Sequence, residues 1–268
     1  MNKNERLMVE LLRRGKESHG VVSVKAEFEA EGTRIDELLR LADIARTAGL
    51  PLTVKIGGCE AMLDLMEAKQ VGVRNIVAPM VETPYALSKF IMAKNVVFSE
   101  EDQEDVDFLV NMETITAYNH REEMLDLAAE PDGIDGVVFG RVDFSGSMGR
   151  DRSTINDPDI TGMVIDVAQA CKDRGLDLVM GGAISVDSLD VVKEVAAVWL
   201  TRFETRKVVF SGEAVKLEGL EAGLLNAVHF ELLWLVNKQD YYARIAAEDN
   251  KRLDMLQARW DVLGKGVH

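Results

Sequence analysis

Apolar residues return along the chain in two rhythms. Short β-branched runs stand at VVSVKAEFE (21–29), PLTVKIGG (51–58), NIVAPM (75–80), DFLVNMET (107–114), GVVFGRVDF (136–144), DLVMGGA (177–183) and VWLTRF (198–203); KVVF (207–210) is a weaker further one. Between them lie RIDELLRLADIARTAG, EAMLDLMEAK, YALSKFIMAK, AYNHREEMLDLAAE, DITGMVIDVAQACKDRG and VDSLDVVKEVAA, with apolar residues every three or four positions. The first rhythm predicts strands and the second amphipathic helices. Strand and helix in repeated alternation predict a parallel sheet. Seven or eight such units in about 200 residues predict a closed (β/α)8 TIM barrel, with a doubly wound open sheet as the other arrangement. Residues 1–20 read as helix, which leaves KVVF to close the barrel. From about 213 to 263 the pattern predicts two long C-terminal helices, more than a barrel needs and so expected to pack on a neighbouring subunit. No linker divides residues 1–268, which read as one domain.

Parallel strands are usually apolar on both faces, and several of these are not. Val22 and Val24 share one face while Ser23, Lys25 and Glu27 share the other; Leu52, Val54 and Ile56 alternate with Thr53 and Lys55. Phe108, Val110 and Met112 alternate with Leu109, Asn111 and Glu113. The simplest geometry puts the apolar face under the helices and the polar face inside the barrel. Lys25, Glu27, Lys55, Asn111, Glu113 and Asp143 then surround one cavity at the carboxyl ends of the strands, where barrel enzymes keep their chemistry.

Buried carboxylates must be neutralised or ligated. One reading is an internal ion-pair network, Lys25 with Glu27 and Lys55 with Glu113. The other is a hard divalent cation, which takes oxygen ligands and is satisfied by one or two carboxylates plus water and substrate oxygens; Glu113 and Asp143 suit it. None of His19, His120, His229 and His268 falls at the carboxyl end of a predicted strand, which argues against zinc. Gly140 would let the backbone approach a ligand closely, and the consecutive amides there could bind a carboxylate group.

Composition narrows the class. The 268 residues are 47% hydrophobic and 29% charged, with a formal charge of −15, which repels a phosphate backbone. Cys59 and Cys171 form no disulfide framework, and the opening MNKNERLMVELLRRGKESHG has no apolar run of leader or membrane length. The expectation is a cytoplasmic protein with no nucleic-acid or membrane partner.

NMET, followed about twenty-five residues later by GVVFGRVDFSGSMG, resembles the HpcH/HpaI aldolase and citrate lyase β-subunit superfamily. PLTVKIGG and IVAPMVET resemble two further segments of that family, in the same order, and the likeness spans roughly residues 21–205. The resemblance implies a TIM barrel that binds Mg2+ or Mn2+ and a 2-oxo acid such as pyruvate. By position it implies Glu113 and Asp143 as metal ligands, Asn111 near the oxo acid, and the amides of Arg141, Val142 and Asp143 facing the substrate carboxylate. Lys55 stands where the family has an arginine that stabilises the enolate oxygen, keeping the charge but not the planar fork. It also implies a homo-oligomer, a trimer or hexamer, with swapped C-terminal helices. Ala30 replaces the family's histidine in EFEA, so another base is required, and Glu27, Glu29 and Glu82 are the candidates.

The leading expectation is thus a metal-dependent carbon–carbon lyase or aldolase working through a pyruvate-type enolate. A second is a Schiff-base aldolase using Lys25 or Lys55. A third is a non-catalytic barrel that binds an acidic metabolite.

Overall fold

The computed structural model describes residues 1–264, so His268 lies outside the described residues. Its eight strands are β1 (Val21–Glu27), β2 (Leu52–Lys55), β3 (Asn75–Ala78), β4 (Asp107–Met112), β5 (Gly136–Gly140), β6 (Asp177–Gly181), β7 (Arg202–Glu204) and β8 (Val208–Ser211). They close into a barrel in chain order. The helices are α1 (Lys3–Ser18), α2 (Ile35–Thr47), α3 (Met62–Val71), α4 (Pro84–Val97), α5 (Glu100–Gln103), α6 (Ile115–Asn119), α7 (Arg121–Ala128), α8 (Arg141–Ser147), α9 (Pro158–Arg174), α10 (Leu189–Val198) and α11 (Leu220–Gly264). The chain is a TIM barrel with a long C-terminal helix, and the doubly wound alternative falls.

The strand alternation sorts as expected. Val24, Ala26, Val54, Phe108, Val110 and Met112 pack under the helices in the main core. Val77, Leu109, Val138 and Val179 form a separate apolar plug inside the barrel. Below the plug, Arg202 reaches Asn75 and pairs with Asp107 at 3.1 Å and Asp177 at 2.5 Å, sealing the amino-terminal end.

The structure departs from the expected pattern at four places. KVVF does close the barrel, but β8 pairs antiparallel with both β7 and β1. Only Thr205, Arg206 and Lys207 separate β7 from β8, far short of the dozen or more residues a parallel crossover needs. Phe203 and Phe210 stack across that hairpin with ring centroids 5.2 Å apart. VWLTRF yields a strand only from Arg202 onward. GVVFGRVDF stops being a strand at Gly140, and Arg141–Ser147 turns at once into α8, pinned by Phe144 against Phe139 at 4.7 Å. Asp143 therefore sits in the first turn of a helix rather than at a strand end.

The tail is one helix of 45 residues, not two. No glycine or proline interrupts it between Leu224 and Leu263. Its first half buries Leu224, Ala227, Phe230 and Trp234 against the body, chiefly against α1. Beyond Tyr242 it is exposed, with Leu253, Leu256 and Trp260 in the open. Among the described residues no helix is long and apolar enough to cross a membrane.

Candidate active site

At the carboxyl end of the barrel, β1 supplies Lys25 and Glu27, β2 ends on Lys55, and β4 carries Asn111 and leads directly into Glu113. Glu204 ends β7, and the hairpin to β8 brings Arg206 and Lys207 to the same rim. Lys25 Nζ lies 3.1 Å from Glu27 and bonds Glu204 as well. The other oxygen of Glu27 is 3.7 Å from Arg206. Lys55 Nζ stands between Glu29, at 3.1 Å, and Glu113, at 3.6 Å. Lys207 is bonded to Glu31. Both ion pairs expected from the sequence are therefore present, within a larger network.

The charges within this network differ in how well they are compensated. Burial alone would push the Lys25 pKa down, but Glu204 and Glu27 outweigh it and hold the ammonium above its ordinary range. Burial would likewise raise Glu27, yet Lys25 wins and its pKa is lowered. Glu113 goes the other way. It is 1% exposed, burial dominates, Lys55 and Asn111 do not offset it, and the charge of Asp143 adds to the upward shift. A buried carboxylate held high, beside a second acid, is short of positive charge.

The surroundings of Glu113 are specific. One oxygen accepts from the Met80 amide at 3.0 Å and the other from Asn111 Nδ2 at 2.5 Å. Asn111 is therefore committed to Glu113 through its donor, and its buried Oδ1 has no partner among the described residues. Reversing the amide would set that oxygen against a carboxylate, so the orientation is fixed by chemistry. What Asn111 still offers is an acceptor, suited to an ordered water. A Cβ at Gly140 would stand 2.9 Å from both Cβ and Oε2 of Glu113, so only glycine leaves the carboxylate its place.

Gly182, at φ +84°, faces the start of α8; a Cβ there would lie 2.6 and 2.7 Å from the amides of Arg141 and Val142. The Arg141 side chain is fully buried and binds carbonyls of Gly181 (3.2 Å) and Gly182 (2.8 Å) and the Asn156 side chain (2.7 Å). Burial lowers its pKa to about 10, which still leaves it charged at neutral pH. The sequence pointed to the amide of Arg141; the structure adds the guanidinium, which ties β6 to α8. Among the described residues, two non-glycine residues have left-handed backbone, Met80 (φ 51°) and Ala183 (φ 53°), and both flank this mouth. Such strain is kept where the surroundings over-determine the geometry, commonly at functional sites.

Asp143 is exposed and makes no side-chain hydrogen bond or ion pair to the described residues, while its charge raises Glu113. No group of three or more His, Cys, Asp and Glu side chains among the described residues is arranged for a metal. The donors present are nonetheless hard oxygens, and Gly140 leaves space at the buried one. A divalent cation on Glu113 and Asp143 would draw its remaining ligands from water and substrate, as Mg2+ commonly does. Glu82 accepts from Thr114 at 2.7 Å, while Thr83 caps α4. Glu204 and Lys207 are buried in the mouth, and Arg202 sits at the opposite end.

A family model for HpcH/HpaI aldolase/citrate lyase matches residues 18–209. The chain belongs to that family. Its members are lyases and aldolases, and the matched span holds every mouth residue described above. An HpcH/HpaI aldolase from Desulfitobacterium hafniense DCB-2 superposes with a TM-score of 0.60 at 16% identity, covering 75% of this chain and 82% of the other. A family protein from Burkholderia cenocepacia J2315 gives 0.56 at 18% identity, covering 73% and 81%. A variant of the citrate synthase SbnG gives 0.54 at 18%, covering 74% and 79%. At such identities these likenesses speak for the fold alone. No curated protein matches the chain.

Proposed function

We propose that the protein is a divalent-metal-dependent carbon–carbon lyase or aldolase that handles a 2-oxo acid as its enolate. The observation that carries this reading is Glu113: a buried, under-compensated carboxylate beside the Asp143 side chain, which has no bonded partner among the described residues, with glycine alone tolerated in front of it. Glu113 and Asp143 would hold Mg2+ or Mn2+, which when bound supplies Lewis-acid polarisation of the substrate's oxygens. Asn111 and the Met80 amide favour the ionised form of Glu113 against its burial and fix its direction. The amides of Arg141, Val142 and Asp143, opposite Gly182, receive the substrate carboxylate, and the Arg141 side chain holds the two walls together. Lys55 places its ammonium where an enolate oxygen develops charge, a preorganised electrostatic contribution of about 3–4 kcal/mol for a single donor.

The Schiff-base route is disfavoured for Lys25, whose pairing with Glu27 and Glu204 keeps it an ammonium rather than a nucleophilic amine. The exposed half of α11, with Leu253, Leu256 and Trp260 uncovered, supports a homo-oligomer.

Glu113→Gln and Asp143→Asn test the assignment. Each is expected to abolish metal-dependent carbon–carbon cleavage or condensation across a panel of 2-oxo acids and to weaken Mn2+ binding measured by electron paramagnetic resonance. A variant that keeps full turnover and full Mn2+ affinity refutes it.

A further inference from the structure

If the chemistry runs through an enolate, some group must take a proton from the carbon next to the keto carbon, and the residues of the mouth differ sharply in their fitness for it. Glu27 is buried and engaged on both oxygens, by Lys25 and Arg206, and its pKa is held down, which makes it a poor base. Glu204 is fastened to Lys25, and Glu31 to Lys207 and Arg206. Glu82 is bonded to Thr114, and Glu113 to Asn111 and the Met80 amide. Glu82 and Glu204 also leave one oxygen unbonded, but Glu29 is more open to solvent than any of these acids and is the one that combines that exposure with a pairing to Lys55. Its contacts with Lys55 and with the Ala30 amide, both at 3.1 Å, use the same oxygen, Oε2. Oε1 makes no hydrogen bond or ion pair to a described residue, and the side chain remains 28% exposed at the mouth.

We infer that Glu29 is the general base of the reaction, working as a pair with Lys55; this rests on the enolate reading above. In the step, the C3–H bond of the bound 2-oxo acid breaks, its proton passes to Glu29 Oε1, and the electron pair becomes the C2–C3 double bond. The C2 oxygen takes the negative charge. The pairing with Lys55 makes the transfer self-reinforcing. Before it, the ammonium is shared between Glu29 and Glu113; once Glu29 is neutral, it no longer competes for that charge, which turns to the enolate oxygen. Reprotonation at C3 returns the proton by the same route, so no co-reactant is required.

The test is exchange of the pyruvate methyl protons in D2O with Mg2+ present, followed by proton nuclear magnetic resonance. Wild type exchanges them. Glu29→Gln lowers the exchange rate by about 10²–10⁴-fold, the usual worth of a positioned base, with Mn2+ and oxalate affinities unchanged. Glu29→Asp, which keeps the carboxylate, restores part of the rate. Exchange by Glu29→Gln within about threefold of wild type overturns the inference and leaves the enolate reading standing. A wild type that binds Mn2+ and oxalate but never exchanges the protons overturns the enolate reading, and this inference with it.

Discussion

Gly140→Ala is the smallest change that reaches the proposed metal ligand without altering either acid. The added Cβ would lie 2.9 Å from both Cβ and Oε2 of Glu113. Ordinary carbon contacts begin near 3.5 Å, so the two groups must part by about 0.6 Å. A rotamer change moves Oε2 but not Cβ, and Glu113 is 1% exposed with both oxygens already bonded, so the backbone must give. Gly140 has φ −91° and ψ 88°, open to alanine, so the penalty is steric rather than conformational. Overpacking of this kind costs about 1–3 kcal/mol, or about 2–12 °C in Tm for a chain of this size. Metal–ligand distances tolerate only about 0.2 Å, so Mn2+ affinity should fall by about 10–100-fold even though Glu113 and Asp143 are intact. Differential scanning calorimetry and Mn2+ titration read the two effects. A variant as stable as wild type with unchanged Mn2+ affinity would refute the claim that Gly140 keeps the Glu113 carboxylate in place.

Lys25→Met removes the partner of two buried acids and should cost about 3–5 kcal/mol in urea melts at pH 7. Because the folded pKa of Glu27 is lowered, its contribution is present above the unfolded value near 4.3 and lost as pH falls through the folded value. The gap between variant and wild type should therefore narrow below about pH 4; a gap independent of pH contradicts the pairing. A chain ending at Ala243 keeps Trp234 and Tyr242 but loses the exposed half of α11. It should fold with an unchanged barrel by circular dichroism and fall to the monomer mass by light scattering, where the full chain is an oligomer; an unchanged assembly would place the interface elsewhere.

The barrel was legible because two-residue and three-to-four-residue periods alternate cleanly over most of the chain. The polar face of β1, β2 and β4 was legible for the same reason, and it delivered Lys25, Glu27, Lys55, Asn111 and Glu113 to one mouth. The end of β5 was not. In GRVDF the alternation of polar and apolar residues continues past Gly140, and the turn into α8 is set by tertiary contacts: Arg141 reaching Gly182 and Phe144 packing on Phe139. The direction of β8 was hidden too, because its hairpin has no glycine or proline. Thr205 makes that turn with its own amide and hydroxyl, both bonded to Val208. The expected break in the C-terminal helix had no breaker behind it. The ion-pair partner of Glu29, Lys55, lies on β2, far along the chain, and no local pattern announces which acid of EFEA is left half free.

The most direct test of the account is a crystal structure of the protein with Mn2+ and oxalate, with the ion located by its anomalous scattering. The account predicts one strong peak coordinated by oxygens of Glu113 and Asp143, with oxalate on the same ion and its carboxylate toward the Arg141 and Val142 amides. An ion bound away from both acids, or a Glu113 that stays with Asn111 and Lys55 and offers no oxygen to the metal, would contradict it.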